Sequence, residues 1–271
     1  MSYETYNVTI ANHVAIVAFN RPTKANCLIK KSWEEMQTIF EDLDENPEVR
    51  AIILTGEGKH FCGGIDLSML MEVGATSQKV KDTGRRGEHF IVNTLKMQAN
   101  VSAIEKCRKP VIAAIHKACV GAGVDIIAAC DMRYCTADSY FGIKEIDWGM
   151  VADIGTLQRL PKIINPGIVA EWAYTGRNVN STEAEKTGLV AKVYTDKAEM
   201  MENVTKLAAT IASKSPISVR GTKEMLLYAR DNSVENALKY QVVWNASMIF
   251  SNDMQEAFQA SMQKRAPKFE N

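Results

Sequence analysis

Two consecutive stretches decide the fold, KPVIAAIHKACVGAGVDIIAACD over residues 109–131 and FGIKEIDWGMVADIGTLQRLP over residues 141–161. Residues 111–115 form a short apolar run entered from a proline, which predicts a buried strand. Residues 121–123, Gly-Ala-Gly, turn the chain into an apolar segment over 124–130 that is typical of a helix. Small residues at such a turn allow main-chain N–H groups to face a ligand atom.

Three carboxylates accompany this turn: Asp125 in the first turn of the predicted helix, and Glu145 and Asp153 on the next connection. Carboxylates beside donor amides indicate chemistry on a carbonyl, because the amides stabilise an oxyanion while the carboxylates move protons. Each feature also has a structural interpretation. The glycines can form a simple tight turn, Asp125 can cap its helix, and Glu145 can be an ordinary loop residue.

A second glycine-rich loop lies upstream and strengthens the functional interpretation. Residues 51–55, Ala-Ile-Ile-Leu-Thr, predict a buried strand, and residues 56–67, GEGKHFCGGIDL, follow it as a loop that enters a helix predicted over 68–73. Two glycine loops and three carboxylates in this order favour one composite site.

The remaining pattern alternates strands with helices, so a parallel sheet is expected in the first part of the chain. Residues 74–87 are polar and predict a mobile loop that could serve as a lid or pocket wall. No strand is evident after residue 196, which divides the chain into an α/β core, 1–195, and a helical region, 196–271. The other predicted elements are a hairpin (6–10 and 14–19), helices 30–45, 88–106 and 168–175, a strand 190–194, and helices 197–213, 217–231, 233–249 and 253–265.

Composition excludes several classes of function. The 32 Lys and Arg residues balance 32 Asp and Glu residues, so the chain has no overall basic field for nucleic acid. No apolar run reaches the length of a membrane span. Six scattered cysteines without a Cys-x-x-Cys pair predict reduced thiols, and four histidines are too sparse for a zinc site. Neither terminus carries a targeting signal, which predicts a cytoplasmic protein; a mitochondrial or peroxisomal origin stays open if a presequence was removed.

The helical region is rich in methionine and aromatic residues, which is typical of a surface that docks on a neighbouring subunit. The alternative is that these helices pack only on their own domain.

The two loops carry a resemblance to a known family. FCGGIDL over residues 61–67 and GAGVD over 121–125 resemble the enoyl-CoA hydratase/isomerase (crotonase) superfamily, and the resemblance extends over nearly the whole chain. Within it the chain is most similar to the Δ3,5-Δ2,4-dienoyl-CoA isomerases. Hydratases of the family usually have Glu in place of Asp125 and Gly in place of Asp153. The trio Asp125, Glu145 and Asp153 therefore distinguishes the isomerases from the hydratases.

The resemblance implies a crotonase-like spiral of ββα units with a C-terminal helical trimerisation region, assembled as homotrimers or dimers of trimers. It also implies an isomerase of fatty acid β-oxidation that converts 3,5-dienoyl-CoA to 2,4-dienoyl-CoA. The sequence departs from the family at Ala122, where a third consecutive glycine is common. Because the expected donor is the main-chain N–H, the methyl group of Ala122 removes no donor but narrows the pocket.

Roles follow for individual residues. Asp153 is expected to act as base at C2 and Glu145 as acid at C6, with Asp125 tuning their charge. The N–H groups of Ile65 and Ala122 would form the oxyanion hole. The remaining substrate-binding candidates are Lys24 and Asn26 on the CoA nucleotide, Asp66 at its adenine edge, and the loop residues Gly63, Gly64 and Leu67. Lys24 can equally be a solvated surface residue.

No metal and no cofactor is expected beyond the CoA of the substrate, since proton transfer completes the reaction. Two other functions stay open. The first is an enoyl-CoA hydratase in which Glu145 and Asp125 activate a water, and the second is a non-catalytic CoA-thioester-binding protein.

Overall fold

A large sheet of six strands forms the centre of this computed structural model, which describes residues 3–69, 71 and 80–271. Its strands, β1 to β4, β6 and β9, stand side by side in sequence order. Their bounds are Tyr6–Ala11, Val14–Phe19, Ala51–Gly56, Val111–Ile115, Met132–Thr136 and Val193–Tyr194. The β1–β2 pair is an antiparallel hairpin and every other pair is parallel, as the alternation of strands and helices predicts.

A second sheet contains the short strands β5 (Ala118–Val120), β7 (Tyr140–Gly142) and β8 (Val179–Asn180). Cys62 extends this sheet, because it pairs with Cys119 of β5 in parallel orientation. The chain therefore passes three times from the large sheet to the small sheet: from β3 to Cys62, from β4 to β5, and from β6 to β7. These repeated turns build the predicted ββα spiral, and they place residues 62–67 beside residues 119–122.

Ten helices surround the sheets in the part of the chain that the structure describes. In chain order α1 to α10 are Lys30–Glu45, Thr83–Lys106, Ala122–Ala128, Thr156–Arg159, Pro166–Thr175, Ser181–Thr187, Lys197–Ala212, Pro216–Asp231, Val234–Met248 and Asn252–Met262. Most agree with the predicted helices to within a few residues.

The start of α2 differs from the prediction. Residues 83–87 were assigned to a mobile loop, but they are helical because the Asp82 side chain accepts a hydrogen bond from the N–H of Arg85, 2.8 Å away, and caps the helix. Residues 80–82 of the predicted loop precede the helix, and residues 74–79 lie outside the described residues. Residues 70, 72 and 73 of the helix predicted over 68–73 lie outside them as well.

The central strands β3 and β4 are buried on both faces, which explains their continuous apolar runs. Ile52 and Leu54 of β3 face the main core, whereas Ala51 and Ile53 face a second apolar cluster. Helix α7 covers that second face, so the boundary drawn at residue 195 separates α7 from the sheet on which it packs. The four side chains that α7 buries there are Met200, Val204, Ala208 and Ala212.

The later helices are joined to the core by a buried ion pair. Lys223 of α8 donates to Asp131 Oδ2 at 2.7 Å and to the Lys109 carbonyl at 3.1 Å. Asp131 Oδ2 also accepts the N–H of Val111, at the first residue of β4. Removing one partner would leave an unpaired buried charge, so this contact holds the middle of α8 against the core.

Candidate active site

Two main-chain loops meet at glycines that approach too closely for side chains. Gly64 has φ of +90°, and a Cβ there would lie 3.1 Å from the Val120 carbonyl oxygen and 3.9 Å from the Ala122 nitrogen. Gly121 has φ of +52°, and a Cβ there would lie 3.9 Å from Gly64 Cα. Only glycine accommodates such dihedrals without strain. The spiral thus brings the two predicted loops together.

The peptide planes of these loops direct two N–H groups away from the surrounding main chain. The Gly64 carbonyl accepts from the N–H of Leu28 at 2.8 Å, so the N–H of Ile65, on the same trans peptide, points the opposite way. The Gly121 carbonyl likewise accepts from the N–H of Val124 at 2.7 Å. The N–H of Ala122 therefore points out of helix α3.

Asp125 lies on α3, one turn beyond Ala122, and is 1% exposed. Its Oδ1 accepts two hydrogen bonds from Thr156, one from the main-chain N–H at 2.7 Å and one from the hydroxyl at 2.6 Å. Burial, together with the negative charges of Glu145 and Asp153, raises its pKa to about 7, although the bonds from Thr156 act to lower it. Asp125 is therefore partly protonated near neutral pH.

Glu145 stands at the start of a short 3-10 helix, Glu145–Trp148, and reaches towards the glycine turn. A Cβ on Gly121 would lie 3.5 Å from its Oε1. Its Oε2 is buried without a hydrogen-bond partner among the residues that the structure describes. Burial raises the pKa of Glu145, and the charge of Asp153 raises it further. An unpartnered buried carboxyl oxygen is suited to exchanging a proton with a ligand.

Asp153 completes the group and is half-buried between the buried residues Ala152 and Ile154. Burial raises its pKa as well. The charge of Asp153 raises the pKa of both Asp125 and Glu145, so the three carboxyls lie within electrostatic range of one another. Glu145 also lies beside the glycine turn that carries the Ala122 amide. Since like charges at close range resist joint ionisation, this cluster favours mixed protonation states.

The residues predicted to bind CoA differ in how accessible they are to a ligand. Lys24 is exposed and Leu67 is 49% exposed, so both are accessible to a ligand. Gly63 packs against the early polar turn, because its N–H donates to the Ala25 carbonyl at 2.8 Å. Asp66 already accepts from Arg21 at 3.0 Å and from the hydroxyl of Ser68 at 2.7 Å. These bonds, those from Ser68 foremost, lower its pKa and keep it ionised.

The structure contradicts the prediction that the Asn26 side chain contacts the CoA nucleotide. Asn26 is 1% exposed, and its Oδ1 accepts the N–H of Arg21 at 2.9 Å. Its Nδ2 donates to the carbonyls of Glu57 and His60 at 2.9 and 2.7 Å. With both ends engaged by main-chain groups, Asn26 joins the early polar turn to the first glycine loop.

Two polar residues of the site escaped the sequence analysis. Thr156 holds Asp125, and Gln98 of α2 donates to the Asp153 carbonyl at 2.6 Å. A threonine directly after a glycine at the start of a short helix was the available signal for Thr156. No sequence signal marked Gln98, because the residue that it binds lies 55 positions away in the sequence.

Two kinds of feature are absent from the described residues: a cluster of metal ligands and a helix that could span a membrane. Among residues 3–69, 71 and 80–271, no three His, Cys, Asp or Glu side chains are arranged to hold a metal ion. Over the same residues, no helix is both long and apolar enough to cross a bilayer. The described groups are amide donors and carboxyls.

Known proteins are similar to this chain over its whole length. The family model for enoyl-CoA hydratase/isomerase matches residues 9–271. The peroxisomal Δ(3,5)-Δ(2,4)-dienoyl-CoA isomerase of Arabidopsis thaliana is 46% identical over 99% of this chain and 98% of its own. The human mitochondrial protein of that name is 43% identical over 98% of this chain and 82% of its own. The crystal structure of an enoyl-CoA hydratase from Bacillus anthracis superposes with a TM-score of 0.87 at 30% identity, covering 98% and 99% of the two chains.

These names contradict the cytoplasmic location predicted from the sequence. The dienoyl-CoA isomerases named above are peroxisomal and mitochondrial proteins. The prediction rested on finding no recognisable targeting signal at either terminus, and such signals are short segments separate from the folded domain.

Proposed function

Because this chain belongs to the enoyl-CoA hydratase/isomerase family, we propose that it converts 3,5-dienoyl-CoA to 2,4-dienoyl-CoA by moving a proton from C2 to C6. The observation that carries the proposal is the group of three buried or half-buried carboxyls, Asp125, Glu145 and Asp153, of which Glu145 reaches the glycine turn that carries the Ala122 amide. The dienoyl-CoA isomerases at 43–46% identity support the choice of reaction.

The amides act on the thioester carbonyl. Loss of a C2 proton places negative charge on the carbonyl oxygen, and the N–H groups of Ile65 and Ala122 would stabilise that charge. One such donor contributes roughly 2.7–4 kcal/mol to the transition state. The rest of the charge spreads along the diene to C6. The electron pair of the broken C2–H bond becomes the C2=C3 bond, C3=C4 shifts to C4=C5, and the C5=C6 pair takes up a proton at C6.

Two carboxyls divide these steps, and we propose the order opposite to the one expected from the sequence. Glu145 Oε1 lies beside Gly121, next to the amides that would hold the carbonyl, and C2 is bonded to that carbonyl carbon. Glu145 is therefore the base at C2 and Asp153 the acid at C6. Asp125 remains the group that tunes their charge. The reaction balances by proton transfer alone and requires no cofactor.

The competing hydratase would use Glu145 and Asp125 to activate a water, and it gives no role to Asp153. We expect the chain to generate the absorbance of the conjugated 2,4-diene from 3,5-dienoyl-CoA without adding water. The measurement is an ultraviolet absorbance assay with mass analysis of the product. Rapid hydration of crotonyl-CoA without the diene signal would reverse the choice.

We also propose self-association through the C-terminal helices. Helices α8 to α10 and Phe269 surround an open cavity of about 740 Å³, and Phe250 at the end of α9 is 81% exposed. Besides Phe269, the large apolar residues on this cavity are Ile217, Met225, Leu226, Val234, Leu238, Trp244, Met248, Ile249 and Met254. A patch of this kind is typical of a protein–protein interface.

A trimer or dimer of trimers would cover the cavity and the exposed helix faces around it. Light scattering of the purified chain should then give a mass near three or six times 30.0 kDa. A mass of 30.0 kDa at micromolar concentration would contradict the proposal.

A further inference from the structure

One face of α2 holds the segment that carries Asp153. Gln98, Ser102 and Glu105 follow each other at spacings of four and three residues, so they lie on the same side of the helix. Gln98 Nε2 donates to the Asp153 carbonyl at 2.6 Å. Ser102 Oγ accepts from Arg159 Nη2 at 3.0 Å, and Glu105 accepts from Arg159 Nε at 3.3 Å. This face of α2 therefore contacts both ends of the segment 153–159.

The contact with Arg159 is shielded from solvent. The side chain of Arg159 is 12% exposed and that of Glu105 is 17% exposed, and Glu105 also accepts from Arg230 of α8. Arg159 in turn folds back over Gly155, which has φ of +136° and where a Cβ would lie 1.9 Å from Arg159 Nη1. Charged hydrogen bonds in such surroundings have well-defined geometry, so this end of the segment is fixed.

The opposite side of the segment is held by the active site itself. The main-chain N–H and the hydroxyl of Thr156 both donate to Asp125 Oδ1. Residues 153–159 are thus held between α2 and α3. Among the described residues, Gln98 is the side chain that binds the main chain of Asp153 directly.

We propose that Gln98 is a positioning residue: its bond to the Asp153 main chain holds the Asp153 carboxyl within proton-transfer distance of C6. This inference rests on the proposed function, in which Asp153 delivers a proton to C6. Without the bond from Gln98 the Asp153 main chain can shift, whereas Glu145 and the two amides belong to other main-chain segments with hydrogen bonds of their own and keep their positions. Removal of the C2 proton then continues, but the intermediate anion is more often reprotonated at C2, with solvent hydrogen wherever the Glu145 carboxyl has exchanged its proton.

The test separates these two fates of the anion. Gln98→Leu removes the donor at similar size, and Asn93→Leu makes the same change at an exposed position of α2. Each variant is incubated with 3,5-dienoyl-CoA in D₂O. Isomerisation is followed by diene absorbance, and deuterium at C2 of the recovered substrate is measured by mass spectrometry.

For Gln98→Leu we expect isomerisation to fall roughly 10- to 100-fold, the loss that a misplacement of about 1 Å causes. The ratio of C2 exchange to isomerisation should rise by a similar factor. Asn93→Leu should leave both values at the wild-type level. Gln98→Glu, which keeps the size but cannot donate to the carbonyl, should reproduce the change in ratio if Gln98→Leu does not fold.

An unchanged ratio in a folded Gln98 variant would overturn the inference, even with slower turnover. A general loss of structure lowers exchange and isomerisation together, so the ratio is the readout that a merely structural role does not move. A wild-type chain that fails to isomerise would contradict the proposed function and this inference with it.

Discussion

Replacing Glu145 with glutamine should lower turnover of 3,5-dienoyl-CoA by roughly 10²- to 10⁴-fold, the usual contribution of a positioned base. Glutamine keeps the shape of the side chain but cannot take the C2 proton. The effect should be large because Oε1 lies beside Gly121, and because Oε2 is buried with no hydrogen-bond partner in the described part of the chain. Thioester binding should persist, since the amides of Ile65 and Ala122 are main-chain groups.

Diene absorbance measures turnover in this variant, and calorimetric titration with a non-reacting acyl-CoA measures binding. Asp147→Asn is the matched control, because Asp147 lies in the same short helix with a 52% exposed side chain paired to Lys144. It should retain wild-type turnover. Full activity in Glu145→Gln would remove Glu145 from the mechanism.

The wild-type rate should also depend on pH through this group. A base must be ionised, and burial raises the pKa of Glu145 above the ordinary 4.5. The rate should therefore fall with decreasing pH at values above 4.5.

Much of the fold was predictable because burial imposes simple patterns. The strand Val111–Ile115 and the helix Lys30–Glu45 were predicted at their observed bounds, since one is a continuous apolar run and the other has helical apolar spacing. The small sheet was not predicted. Its strands have two or three residues, and they exist because distant segments pair, as Cys62 does with Cys119. Of the strand predicted over 190–194, only Val193–Tyr194 pairs with β6.

The site shows a similar division. The two glycine loops and the three carboxyls were predicted as one group from their order. The structure places Gly64 and Glu145 Oε1 beside Gly121, and Asp153 within electrostatic range of the other two carboxyls. The direction of a side chain is a different matter. Asn26 lies in a polar turn, which suggested a ligand, yet its amide points inward to the carbonyls of Glu57 and His60. The order of Glu145 and Asp153 along the substrate likewise depends on their distances from the amides, which sequence spacing does not contain.

Replacing Asp153 with asparagine should also lower isomerisation by roughly 10²- to 10⁴-fold, because it removes the proton donor at C6. The variant should differ from Glu145→Gln in one respect. Glu145 can still remove the C2 proton, so deuterium from D₂O should enter C2 of the recovered 3,5-dienoyl-CoA. In Glu145→Gln that exchange should be lost together with isomerisation.

This contrast tests the assignment of the two carboxyls. Both variants keep the number of non-hydrogen side-chain atoms. The bond from Gln98 to Asp153 survives in Asp153→Asn, because it is accepted by the main-chain carbonyl. Exchange that is lost in Asp153→Asn but kept in Glu145→Gln would mean that Asp153 serves C2, the order first expected from the sequence. Exchange kept only in Asp153→Asn would support Glu145 as the group next to the carbonyl, because C2 is the carbon bonded to it.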